Sequence, residues 1–175
     1  MPDVKRSNNR TVSEVRSDLE LVITRTIDGP VRIVYDAWTK VEHLARWWAP
    51  KMAGVAGEGM VSDVRTGGSF RHVLKLHNGG QISFRGTYLE VTPPTRLVYT
   101  SIFEPRPEAG EVLCTVTFEE LDGKTKIVLH EKFPSKEALQ AAMQSGMDAS
   151  LEQLEELVAS LVTGTHSEPA PAASR

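Results

Sequence analysis

Asp28-Gly-Pro-Val-Arg-Ile-Val-Tyr-Asp-Ala-Trp-Thr-Lys-Val-Glu-His-Leu-Ala-Arg-Trp-Trp-Ala-Pro50 is the stretch that decides the fold. It follows the apolar alternation from Leu19 to Ile27, so a strand runs into a turn at Asp28-Gly29 and Pro30 opens a helix. Proline suits that position because its fixed φ is already helical and its missing N–H would have had no intrahelical partner. Two short helical pieces, within about Val31 to Trp48, then place Val34, Tyr35 and Trp38, followed by Leu44, Trp47 and Trp48, before Pro50 ends the run. All three tryptophans of the chain fall inside it.

Outward from this stretch the pattern turns to β. Phe70, His72, Leu74 and Leu76 alternate, Asn78-Gly79-Gly80 makes a hairpin turn, and Ile82, Phe84 and Tyr88 lie on the returning strand. Pro93-Pro94 breaks that strand. Arg96 to Phe103 forms the next, and Glu111–Glu119 with Lys124–Glu131 makes a hairpin about Asp122-Gly123. Gly54 to Gly68 reads as a loop or an irregular edge strand. Successive hairpins favour an antiparallel sheet, because parallel strands need long crossovers.

The C-terminal part carries the strongest helical period. After an N-cap at Pro134-Ser135, Leu139, Met143, Met147, Leu151, Leu154, Leu157, Val158 and Leu161 recur at three- and four-residue spacing. The pattern predicts one helix from Lys136 to about Val162, closed by Gly164; about 27 residues give a rod of roughly 40 Å. Its single apolar stripe requires a sheet to lie on. The fold class is therefore α+β, a curved antiparallel sheet gripping a long C-terminal helix, in one domain over residues 19–163. Residues 1–18 read as a flexible arm and 164–175 as a disordered tail.

Composition narrows the function. The 175 residues carry 20 Lys and Arg against 23 Asp and Glu, a net charge of −3 with both signs interspersed. This excludes the basic stripe of a nucleic-acid binder. No apolar run approaches the ~18 residues of a membrane span, and Met1 to Ser17 lacks the apolar centre of a secretory signal, so a cytoplasmic location is expected. The one cysteine, Cys114, sits in an apolar alternation and reads as a small core hydrophobe. The five histidines show no zinc-ligand spacing, and no metal or cofactor is expected. Gly67-Gly68 precedes a strand rather than a helix, which argues against a phosphate loop.

The chain resembles the START-like helix-grip superfamily (SRPBCC), and within it the group similar to the activator of heat-shock protein 90 ATPase homologue. The matching words are Ile23-Thr24-Arg25, Gly29-Pro30 through Ala37-Trp38-Thr39, Glu42 to Pro50, and Asp63-Val64-Arg65-Thr66-Gly67-Gly68-Ser69-Phe70. Gly86 to Val91, Pro94 to Tyr99 and Gly146-Met147 follow in the family's order. Gly29 stands where the family usually has alanine, and Thr66 where it usually has proline.

The resemblance implies a cavity between sheet and last helix. Strand parity then selects its wall: Ile23 and Arg25, Phe70 and His72, Phe84, Leu97 and Tyr99, Cys114 and Val116, and Ile127 and Leu129 share the inward face. From these the candidate ligand-binding residues are Arg25, Phe70, His72, Phe84, Tyr99, Cys114, Met143 and Met147, the two methionines closing the cavity from the helix. Arg25 and Glu131, if both inward, either pair with each other, since an isolated buried charge is costly, or leave Arg25 to meet a ligand carboxylate. The leading functional expectation is binding of a small apolar or amphipathic ligand. Second stands an enzyme of the cyclase or hydrolase type, with His72, Tyr99 and Arg25 to move a proton. Third stands an interaction module acting on a chaperone ATPase, disfavoured because the eukaryotic activators carry a further domain. A homodimer is compatible with the tryptophan-bearing helices and strand edges.

Overall fold

The computed structural model describes residues 9–164. Nine strands form one antiparallel sheet: β1 (Val12–Val15), β2 (Glu20–Ile27), β3 (Gly54–Ala56), β4 (Val61–Ser62), β5 (Ser69–Leu76), β6 (Gln81–Thr92), β7 (Arg96–Phe103), β8 (Glu111–Leu121) and β9 (Lys124–Lys132). Their order is β1-β2-β9-β8-β7-β6-β5-β3, with β4 pairing β5 beside β3. The helices are α1 (Val31–Thr39), α2 (Val41–Trp47), α3 (Lys136–Met143) and α4 (Met147–Gly164).

The β5–β6 and β8–β9 hairpins have a local cause. Gly79 takes φ +89° after Asn78, and Asp122-Gly123 takes φ 50° and 78°, the left-handed pair that a two-residue turn requires. β6 carries a register shift between Tyr88 and Glu90, so Tyr88 and Val91, of opposite parity, stand opposite the inward Tyr99 and Leu97. Gly86 is required for another reason: a Cβ there would stand 1.8 Å from the Thr100 carbonyl oxygen and 2.6 Å from the Phe70 ring, which lies over it.

Three expectations need correction. The first concerns the arm: Val12–Val15 is a strand paired with β2, so the sheet begins within residues 1–18. The tail at 164–175 lies outside the described residues apart from Gly164, the last residue of α4. The second concerns the long rod, which is two helices. Gly146, at φ +84°, breaks it between Met143 and Met147, and the four-residue spacing that crosses the break made the period look continuous. The Ser135 cap holds, its side chain accepting the Ala138 N–H.

The third correction concerns Arg25. It faces inward, but its guanidinium pairs with Glu155 of α4 and lies 3.5 Å from Asp148, not against Glu131. Helix α4 spans the β2 flank of the sheet and packs on α1 and α2. Ile27, Val34, Leu154 and Val158 are fully buried in that packed region. Trp47 and Trp38 are both buried, with Trp47 Nε1 donating to the Ala37 carbonyl at 2.8 Å.

Candidate functional site

The remaining part of the sheet is not filled. Between the inner faces of β5–β9 and a roof made by α2, α3 and the start of α4 lies a cavity of about 680 Å³. This is within the range of small-molecule sites, about 300–1,000 Å³. The void follows from side-chain size. Where α3 faces the sheet it presents Ala138, Ala141 and Ala142, too short to reach the strands. Met143, expected to close the cavity, points away and is 53% exposed. Met147, beyond the break, does line it.

Six of the eight candidate residues thus form part of the wall, namely Phe70, His72, Phe84, Tyr99, Cys114 and Met147, whereas Arg25 and Met143 do not. Phe70 stacks on His72 at 4.6 Å between ring centroids and meets Tyr99 edge-on at 5.6 Å. Trp48 closes this aromatic end, edge-on to both His72 and Phe84. The Nε2 atom of His72 is buried without a hydrogen-bond partner. Burial lowers the His72 pKa to about 4, so the ring is neutral at physiological pH.

A polar row crosses the cavity floor from strand to strand. Glu131 of β9 stands opposite Cys114 of β8, which stands opposite Tyr99 of β7, which stands opposite Tyr88 of β6. Tyr99 and Cys114 lie within electrostatic reach of each other and of Glu131, and burial holds both groups protonated by pushing their pKa values well up. A thiol so held is a poor nucleophile, in keeping with the reading of Cys114 as a small hydrophobe. Tyr88 reaches Ser62 at 2.8 Å between their oxygens. Glu131 makes no hydrogen bond or ion pair with any described residue, and burial raises its pKa to about 7. Exposed Arg106 and Glu137 mark the side on which the cavity meets solvent.

Glu131 is the site residue that sequence reasoning misplaced. Its parity was right, but it was assigned to Arg25, because nothing in the sequence shows that Glu155, on a helix more than a hundred positions away, satisfies that arginine first. Ser101, Phe103 and Phe133, also on the wall, were missed although each shares the parity of a neighbour that was chosen. Among the described residues no group of His, Cys, Asp and Glu is arranged to hold a metal ion, and no helix is long and apolar enough to cross a membrane.

A curved sheet closed by helices over a hollow, largely apolar interior defines a helix-grip protein. The family model described as Activator of Hsp90 ATPase homolog 1-like protein matches residues 28–159, and the chain belongs to that family. Among solved structures, a Chromobacterium violaceum protein is 26% identical, with 79% of this chain and 96% of that one covered and a TM-score of 0.70. A Rhodobacter sphaeroides protein, 20% identical, covers 89% of this chain and 99% of its own at a TM-score of 0.75. An AHSA1-like protein from Aeromonas hydrophila, 22% identical, matches over 85% and 99% at 0.65. The last two are similar in fold alone. No curated protein matches the chain.

Proposed function

We propose that this protein binds a small apolar or amphipathic ligand in the cavity between its sheet and its helices. One observation carries the reading: an interior of about 680 Å³ walled by Phe70, Phe84, Leu97 and Leu129, with polar groups confined to a few positions. A core evolved only for stability fills such a space, since a void forfeits dispersion contacts and costs free energy in proportion to its volume. Here the void is built in by three alanines on one helix.

Filling the roof tests the proposal. Ala138→Phe places an aromatic ring where a ligand would lie, on a helix whose cap and outer face are untouched. Binding is read by the fluorescence of an uncharged apolar dye, N-phenylnaphthylamine, and by thermal shift with small aromatic alcohols. The natural protein is expected to take up the dye and Ala138→Phe to exclude it while keeping its far-UV circular dichroism. No uptake by the natural protein, or equal uptake by both, refutes the assignment.

The enzymatic alternative loses one of its three candidates. His72 and Tyr99 both border the Phe70 ring, but Arg25 is held beneath α4 by Glu155 and lies outside the cavity lining.

A further inference from the structure

A carboxyl group with no partner, set in an apolar chamber, calls for a counterpart. Glu131 stands on the inner face of β9 between Leu21 of β2 and Cys114 of β8 in the cross-strand row. Leu21 offers no polar atom. The Cys114 thiol and the Tyr99 hydroxyl, both kept protonated by burial, are neutral and bring no positive charge to the carboxylate. The arginine nearest in sequence logic, Arg25, is taken by Glu155. The flanking His130 and Lys132 alternate to the opposite face of the strand, and His130 pairs there with Glu20 at 3.2 Å. Phe133 follows Glu131 on the same side of the chain and Tyr99 lies within electrostatic reach of it, while Trp48, against His72 and Phe84, belongs to the aromatic far end of the same cavity.

An unpaired carboxylate and aromatic faces together are complementary to an organic cation. The carboxylate offers a charge-assisted hydrogen bond to an ammonium group, and ring faces attract the same cation through their quadrupoles. A ligand carboxylate brought to this place would instead meet like charge in a poorly screened interior. We infer that the cavity's ligand is an amphipathic amine whose ammonium group is held by Glu131 and whose apolar body lies along Phe70, Phe84 and Trp48. This deepens the cavity-binding reading above and rests on it. No covalent step is involved; the bound cation stabilises the ionised carboxylate, so a protonated Glu131 releases its proton when the amine enters.

Three matched probes, 4-phenylbutylamine, 4-phenylbutanol and 4-phenylbutyrate, test the inference by calorimetry. At about pH 8 the amine should bind about tenfold more tightly than the alcohol, and the acid more weakly than either. In Glu131→Gln the amine-to-alcohol ratio should fall to about one. A second measurement needs no variant: on the natural protein the ratio should shrink between about pH 8 and about pH 5.5, because protonating Glu131 removes the negative partner. The other titratable or charged groups facing that space are Tyr88, Tyr99, Cys114 and His72 from the strands, with Arg106 and Glu137 at the rim. The three burial-raised groups Tyr88, Tyr99 and Cys114 remain protonated across this window, whereas His72 stays neutral above about 4.

Alcohol binding without preference for the amine, a preference for the acid, or an amine preference that survives Glu131→Gln each overturns the inference while leaving the cavity reading intact. Failure of all three probes overturns both. Proton release on amine binding, seen as a dependence of the heat on the buffer's ionisation enthalpy, supports it; a buffer-independent heat at about pH 7 counts against it.

Discussion

The two flanks of this sheet treat the same kind of inward-facing side chain differently. Beneath α1 and α4, residues such as Ile27, Val34, Leu154 and Val158 are fully buried, and the one inward charge, Arg25, is paired. Beneath α3 the inward residues face a hollow, and the inward carboxyl, Glu131, forms no ion pair with any described residue. What separates the two is the roof. Helix α4 reaches down with leucines and valines, whereas α3, which buries Leu139 in the core, turns alanines toward the hollow. Gly146, breaking the helix between them, lets each half take its own course. The lesson is that a protein creates a site less by adding functional groups than by withholding packing from one part of a common scaffold.

The largest expected effect breaks the packed flank. Leu154→Ala should cost about 4 kcal/mol, because the side chain is wholly enclosed and its neighbours are held by the sheet. Phe84→Ala on the open flank removes more atoms but enlarges a space that already exists, and should cost about 1–2 kcal/mol. Urea unfolding of the two variants measures the contrast. Equal losses would mean that the cavity wall is packed as tightly as the core, and the comparison would fail.

Next in size is Arg25→Ala, expected to cost about 3 kcal/mol by leaving the largely buried Glu155 carboxylate without its cation. Dye uptake by the folded fraction should not change, since Arg25 does not line the cavity. A binding defect at constant fold would return Arg25 to the site.

Gly29→Ala sharpens the comparison at the level of a single methyl group. A Cβ there would lie 2.5 Å from Val158 Cγ1, a stiff β-branched side chain in the packed flank. Overpacking of this kind should cost about 1–3 kcal/mol. In the double variant with Val158→Ala the two losses should fall short of their sum, since the second change makes room for the first. Strict additivity, read from unfolding midpoints, would show that α4 simply moves aside.

How far these differences could be read in advance depends on which residues carry them. Strand parity placed Phe70, His72, Phe84, Tyr99 and Cys114 on the inner face, because an alternation of two survives whatever the sheet packs against. Helical periodicity was less informative: Leu139, Met143, Met147 and Leu151 keep a four-residue spacing through a break that Gly146 makes. The spacing states which residues would share a face if the helix continued, not that it does. Met143 was misplaced for that reason. The choice of Glu155 as the partner of Arg25 depends on how α4 lies across β2, a tertiary fact with no local trace. Once that pairing is known, the isolation of Glu131 follows at once.

The smallest expected effect is a pair of slopes that offset each other. Burial holds His72 down to about 4, below its ordinary 6.5, so between those values the unfolded chain binds more protons and stability rises with pH. Burial raises Glu131 from 4.5 to about 7, so between those values the folded chain binds more protons and stability falls as pH rises. The two windows overlap from 4.5 to 6.5, where the contributions have opposite sign. Removing one partner should therefore expose the other. His72→Leu should become less stable relative to the natural protein as pH rises from about 4.5 to about 6.5, and Glu131→Gln should become more stable relative to it over the same interval. Unfolding midpoints followed across that range measure both differences. Parallel curves for all three proteins would mean that neither group is desolvated, and that the open flank is wetter than its walls imply.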